Sequence, residues 1–330
     1  MRRIKHIAAL ALLATVPLTS CEHKELCYDH PHAVSLTVRF DWSADPGAAP
    51  ESMSLYLFPK DGGEPLRYEF VGREGGLVHV PSGDYDAICL NSDTENMAYR
   101  NTESYWTFEI HTKTTEPLAE SLTRLGVRSE SAPRPEDAEG QRVAKECDML
   151  WTAVLTGIAL PEAGGSDTIT LCPDRAVRRY RVEIVGAENL EHARGLSASL
   201  TGKAGGVLPG QGTVSAEAVT VPFEMSVTVP DAGADAGREV VAGELLLFGH
   251  CPETVSNEHA LTVYAVMSDG SKYAYTFDTG EVTRQIHEAP DQRDILIRLE
   301  GLPLPEPIGG GGGFIPDVEE WESEEIVLPV

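Results

Sequence analysis

Cys21 is the residue whose surroundings specify chemistry most sharply. A basic start, Met1-Arg2-Arg3-Ile4-Lys5, precedes an apolar run from Ile7 to Pro17, and Leu18-Thr19-Ser20-Cys21 follows. An apolar residue, two small residues and a cysteine make a lipobox. The pattern predicts a signal peptide over 1–20, cleavage before Cys21, and transfer of a diacylglycerol and then an N-acyl chain (palmitate in kind) to that residue. The apolar run is too short to span a bilayer as a helix. Several acyl chains on one residue hold a protein firmly, whereas a single chain is marginal.

Other reactive residue types do not assemble into motifs. There is no HExxH, no GxSxG, no Walker loop and no dinucleotide fingerprint. No enzyme activity and no cofactor are therefore expected. Gly205-Gly206 and Gly210-Gln211-Gly212 lie between strands with no helix after them and read as turns. The histidines gather only at His23, His30 and His32, in a solvated segment, and no metal is expected there or elsewhere. Asn91-Ser92-Asp93-Thr94-Glu95-Asn96 lacks the glycine and the distant bidentate glutamate of a calcium loop, so it reads as a polar turn. With Cys21 acylated, Cys27, Cys89, Cys147, Cys172 and Cys251 remain, an odd set that cannot all pair within one chain. Most read as buried thiols; one disulfide has room to form, and the sequence does not say which.

The elements that must carry these residues are strands. Val34, Leu36, Val38 and Phe40 alternate with polar neighbours, the mark of a half-buried strand. Further strands are expected at Met53–Phe58, Leu66–Val71, Leu77–Val80, Tyr85–Leu90, Tyr105–His111 and Asp167–Cys172, with Gly and Pro punctuation between them. Residues 129–146 are polar and proline-rich and read as a long exposed loop, with a short helix over Glu136–Lys145. The second half repeats the theme at Val177–Val185, Leu196–Leu200, Val219–Val229, Val240–Phe248 and Asp294–Leu299. Leu261–Met267 and Tyr273–Phe277 flank an Asp269-Gly270 hairpin turn. No amphipathic helix of a dozen residues is expected. Short strands at this spacing predict an all-β fold of two β-sandwich domains, transthyretin-like or immunoglobulin-like. The boundaries are a tether over 21–32, sandwiches over 33–172 and 173–308, and a tail over 309–330. Five glycines, Gly309 to Gly313, join the tail to the rest and predict a flexible joint. Phe314 and Trp321 are larger than a merely solvated tail needs, and Ile326, Leu328 and Val330 alternate like a terminal strand. Such a segment either closes the second sandwich in its own chain or adds a strand to a neighbouring subunit.

Composition narrows the partners. The 330 residues are 42% hydrophobic and carry a formal charge of −26. That balance repels nucleic acid, so no nucleic acid partner is expected. It also repels an anionic bilayer, which leaves the lipid on Cys21 as the means of reaching a membrane.

Several segments carry a family resemblance when taken together. They are the lipobox with Cys21-Glu22-His23-Lys24-Glu25, Met53-Ser54-Leu55-Tyr56-Leu57-Phe58-Pro59, Val80-Pro81-Ser82-Gly83-Asp84-Tyr85, Asp148-Met149-Leu150-Trp151, and the Gly-rich stretch before Trp321. The chain resembles the fimbrillin-like lipoproteins of Bacteroidetes, the group that holds anchor and accessory subunits of type V pili. The resemblance implies two transthyretin-like sandwiches, export, and lipid-anchored display on the outer membrane at the cell surface. It also implies fimbrial subunits as partners in pilus assembly and cell adhesion. Main pilins of the group are cut after an arginine. No arginine lies in an evident exposed loop soon after the lipobox, and Arg39 falls within a predicted strand, which favours an anchor or accessory role. Glu22 and Glu25 resemble the acidic surface-export signal of the phylum. Asp167-Thr168-Ile169 resembles its O-glycosylation sites, with Thr168 as acceptor. The alternative role is a surface lipoprotein that binds a glycan or host ligand through aromatics such as Tyr99, Tyr105 and Trp106.

Overall fold

The structure is a computed structural model that describes residues 33–161, 165–252, 258–306 and 320–326. Its first half contains β1 (Ala33–Phe40), β2 (Ser52–Pro59), β3 (Leu66–Val71), β4 (Gly75–Pro81), β5 (Gly83–Asn91), β6 (Met97–Arg100) and β7 (Glu109–Thr112). Helix α1 (Glu120–Arg124), β8 (Arg142–Val143), β9 (Trp151–Leu160), β10 (Ser166–Leu171) and β11 (Asp174–Arg175) follow. The second half contains β12 (Arg178–Glu188), β13 (Ala193–Ala204), β14 (Gly206–Leu208), β15 (Thr213–Val214), β16 (Ala218–Thr228), β17 (Val240–Leu247), β18 (Leu261–Met267) and β19 (Lys272–Phe277). Helix α2 (Thr279–His287), β20 (Asp294–Pro303) and β21 (Glu322–Ile326) complete it. The fold is all-β. Among the described residues no helix is long and apolar enough to cross a membrane.

Two sheets form from the first half alone, and a third, of order β15-β14-β7-β6, joins strands of both halves. Of the first two, one has the order β10-β1-β4, and the other β11-β9-β5-β2-β3. Strict alternation on β1 puts Val34, Leu36, Val38 and Phe40 into one core, where they meet Met53, Leu55, Leu57 and Ala87 of the facing sheet. The strands β2 and β5 do not alternate, because both of their faces are covered. Their other face presents Tyr56, Phe58, Ile88 and Leu90 to a second cluster with Phe108, Ile110, Leu150 and Phe248. Aromatic edges fill that layer: Tyr56 and Phe108 lie 4.9 Å apart and Phe58 and Tyr105 5.8 Å apart, centre to centre.

The strand expected over Tyr105–His111 is shorter than the pattern suggests. Residues 101–108 turn, with the Phe108 amide donating to the Ser104 carbonyl at 2.8 Å, and ladder pairing begins only at Glu109. Tyr105 and Phe108 reach the same cluster from a turn, so apolar spacing alone imitated a strand there.

The second half builds one large sheet of order β20-β12-β17-β16-β13-β18-β19-β21, with β8 attached to β16. Strand β16 serves two layers. Its first part pairs with β13, and Ser226–Thr228 cross to pair with β17. Between the layers lie Tyr180, Val182 and Ile184 of β12, Val221 and Phe223 of β16, and Val263 of β18.

The stretch 129–146 corrects the expectation of a solvated loop and of a helix over Glu136–Lys145. In place of the helix there is a 3-10 turn, Glu136–Ala138, followed by the short strand β8. The chain from Leu118 to Ala132 lies across the outer face of the second-half sheet, where Leu118, Leu122, Val127 and Ala132 cover Tyr264, Val266 and Ala274. The Tyr264 hydroxyl donates to the Pro133 carbonyl at 2.9 Å. The Gln141 side-chain oxygen, Oε1, accepts from the Gly202 amide and the Thr220 hydroxyl, and the Ala144 amide donates to the Thr220 carbonyl at 2.9 Å. Backbone groups that would otherwise meet water are thus bonded to the sheet, which a proline-rich composition does not reveal.

Candidate functional site

Sheet edges are the groups of this fold most open to a partner, because they carry backbone donors and acceptors with no ladder neighbour. The two edges of the large sheet differ. At β20 the edge is covered by α2. This helix starts at Asp278, whose carboxylate accepts from the Glu281 amide at 2.9 Å, and it buries Val282 and Ile286. Its Gln285 side chain then mimics a strand. The amide nitrogen donates to the Arg298 carbonyl at 2.8 Å and the amide oxygen accepts from the Arg298 N–H at 2.7 Å.

At the other edge the covering element is β21. It runs parallel to β19, with Tyr273 opposite Glu322 and Phe277 opposite Ile326. Glu322, Ser323, Glu324 and Glu325 are exposed, and only Ile326 is partly buried against the core. Just before the strand, Trp321 meets the Tyr264 ring edge-on at 5.5 Å and donates from Nε1 to the Ser131 hydroxyl at 3.2 Å. The strand is therefore held by backbone pairing and by one apolar group at each end. Beneath it, burial pushes the Tyr275 phenol up, and the Glu324 carboxylate adds to this. The phenol stays neutral and donates to the Pro303 carbonyl.

The structure thus places Trp321 and Ile326, two residues of the expected strand segment, on one edge in their own chain. Phe314, Leu328, Val330 and Cys21 lie outside the described residues, as do His23, His30, His32 and Cys27. Thr168 is exposed on β10, paired with Thr37. Arg39 sits within β1, the central strand of its sheet. Tyr105 is buried, whereas Trp106 is 60% exposed. Asn91 to Asn96 form a bonded turn: the Asn91 side chain accepts from the Trp151 amide, and Asp93 accepts from the Glu51 amide. Cys89, Cys147 and Cys251 are buried, Cys172 is exposed, and all four are free thiols among the described residues.

One grouping corrects the sequence reading. His250, His259 and His287, which lie far apart in the chain and have no ligand spacing, converge so that one ring nitrogen from each lies within 4.8 Å of the others. No local pattern signals it, because the sheet and a helix bring the three together.

The fold defines a class: an all-β module built of several sheets. The chain belongs to the family described as "Domain of unknown function (DUF5119)", whose model matches residues 20–224. Over its whole length it is 22% identical to the curated Bacteroides ovatus protein named "Putative fimbrium anchoring subunit Fim4B", across 100% of both chains. Among solved structures it is similar to "a putative adhesin" from Bacteroides ovatus, with a TM-score of 0.57 and 19% identity over 94% of this chain and 99% of that one. The fimbrial anchor protein Mfa2 from Porphyromonas gingivalis overlaps with a TM-score of 0.47 at 15% identity, over 81% of this chain and 90% of that one. At 19% identity the likeness to the adhesin structure is one of fold.

Proposed function

We propose that the protein is an anchor or accessory subunit of a fimbrium, displayed at the cell surface and acting in assembly and adhesion without bond-making chemistry. The observation that carries the reading is the end-to-end match with a relative named as a fimbrium anchoring subunit. In this reading the acylated Cys21 holds the base on the outer membrane. Residues 33–172 and 173–308 are its two sandwiches, and exposed Thr168 is a glycan acceptor. Fimbrial subunits join at the β19 edge. Backbone pairing supplies affinity there, and alternate side chains set register. The exposure of β21 supports this, since a strand with few buried side chains is exchanged at low cost. The test is a chain lacking residues 314–330 in the native host. Electron microscopy and co-purification are expected to show loss of anchored fimbriae while the first half keeps its fold. Normal fimbriae and normal recovery of partner subunits would remove the strand-exchange role.

A further inference from the structure

The three histidines come from different elements. His250 follows β17 and shares an isolated bridge with Lys203 of β13. His259 precedes β18 and is fully buried. His287 closes the last turn of α2, where the negative end of a helix favours a cation. The Nε2 atoms of His259 and His287 are 3.2 Å apart. Tetrahedral zinc bound to imidazole at about 2.0–2.1 Å requires ligand nitrogens about 3.3 Å apart. That pair already has the spacing of two ligands.

The tautomer also fits. His259 Nδ1 lies 3.2 Å from the Thr201 carbonyl, which can only accept, so Nδ1 carries the proton and Nε2 presents its lone pair. A backbone carbonyl on the remote ring nitrogen is the usual support of a ligating histidine. The backbone that carries the ring is also held. The His259 amide donates to the Thr283 hydroxyl of α2, and the Ala260 amide donates to the Thr201 hydroxyl. An N–H···N bond between His259 and His287 accounts for those two rings. His250 Nδ1 nevertheless stays buried with no hydrogen-bond partner among the described residues, and so does the Lys203 amine beside it. A cation here would meet the Lys203 amine, which sits over the Tyr180 ring 4.6 Å from its centre. Arg178 opposes, and its guanidinium is bonded to Gln292.

We propose that His250, His259 and His287 form a site for a divalent transition metal ion of the zinc class, with one coordination position left to water. All-nitrogen ligation excludes calcium and magnesium, which require oxygen. The ion ties the end of β17, the start of β18 and α2 together, so it staples the second-half core. His250 must swing its ring inward by about 1.5 Å at most to reach tetrahedral spacing, and its partial exposure allows that.

The test uses the full chain without a histidine tag, stripped with a chelator and titrated with Zn2+ alone, with Ca2+ as the control. The expected result is one Zn2+ per chain and a raised melting temperature. His287→Gln, half-buried at a helix end, is expected to keep the fold by circular dichroism and to weaken binding by about tenfold or more, at least what loss of a supporting group costs. Replacing His23, His30 and His32 together by Gln is expected to leave the equivalent in place. A wild-type chain that binds no stoichiometric Zn2+ overturns the proposal. So does an equivalent that survives His259→Gln and His287→Gln together, or one that disappears with the tether histidines.

Discussion

The protonation of His259 is decided by what surrounds it. It is fully buried, and Lys203, His250 and His287 face it, so its pKa falls to about 2 from an ordinary 6.5. The sign follows from proton binding. Above pH 6.5 both folded and unfolded chains hold the ring neutral, and it contributes nothing. Below that the unfolded chain takes up a proton that the folded chain refuses, so stability falls by up to about 1.4 kcal/mol per pH unit. Urea unfolding in the presence of a chelator is expected to show this between pH 6.5 and 4. His259→Gln, which can still donate to Thr201, is expected to be less stable at pH 7.5 yet to have a slope shallower by about one proton. Equal slopes for the two chains would show that His259 titrates normally. At this scale the sequence was least legible. His259 and His287 are 28 residues apart, and nothing in either neighbourhood announces the other. Asn91 was legible only as a turn residue; that its side chain bonds the start of β9 required the fold.

Elements were legible where one face met a core and the other met water. The alternation on β1 and β12 placed both strands, and the Asp-Gly turn placed the β18–β19 hairpin. Strands covered on both faces gave weaker signals, because nothing in Leu261–Met267 says what lies on its outer side. The cover comes from α1 and the chain after it, of which only the part from residue 129 onward reads as a solvated loop by composition. Their fit is close. A β-carbon added at Gly195 of β13 would lie 2.8 Å from Leu122 and 2.7 Å from Leu125, so that glycine lets α1 approach the sheet. Leu122 is fully buried against Tyr264 and Val266. Leu122→Ala is expected to cost about 2–4 kcal/mol, the loss of transferred methyl groups plus a cavity under a thin cover. Chemical denaturation would check this. A cost below about 1 kcal/mol would mean that the crossing segment is not part of the cooperative fold.

At the scale of the whole molecule, charge and attachment pull in opposite directions. A chain at −26 is repelled by anionic headgroups over roughly a Debye length, about 8 Å at physiological salt. Removing Arg2, Arg3 and Lys5 with a signal peptide makes it more acidic. The strand edge that ends at β21 adds Glu322, Glu324 and Glu325 to the exposed surface. Attachment through protein charge is therefore unfavourable, and in the proposed function a lipid on Cys21 supplies it. Cys21→Ala, expressed behind an ordinary cleavable secretion signal, is expected to give a folded protein that stays in the aqueous phase of a detergent partition and does not float with vesicles of anionic lipid. The wild-type chain is expected to partition with detergent and to yield an acylated amino-terminal peptide by mass spectrometry. Vesicle binding by the variant at physiological salt would place a membrane-binding surface on the protein itself. The fimbria would then be held at its base by that surface as well as by lipid. The distinction matters for load. Extracting a chain held by several acyl groups means exposing those groups to water, at about 0.8 kcal/mol per methylene, whereas a charged surface contact is screened by salt and can be released by it.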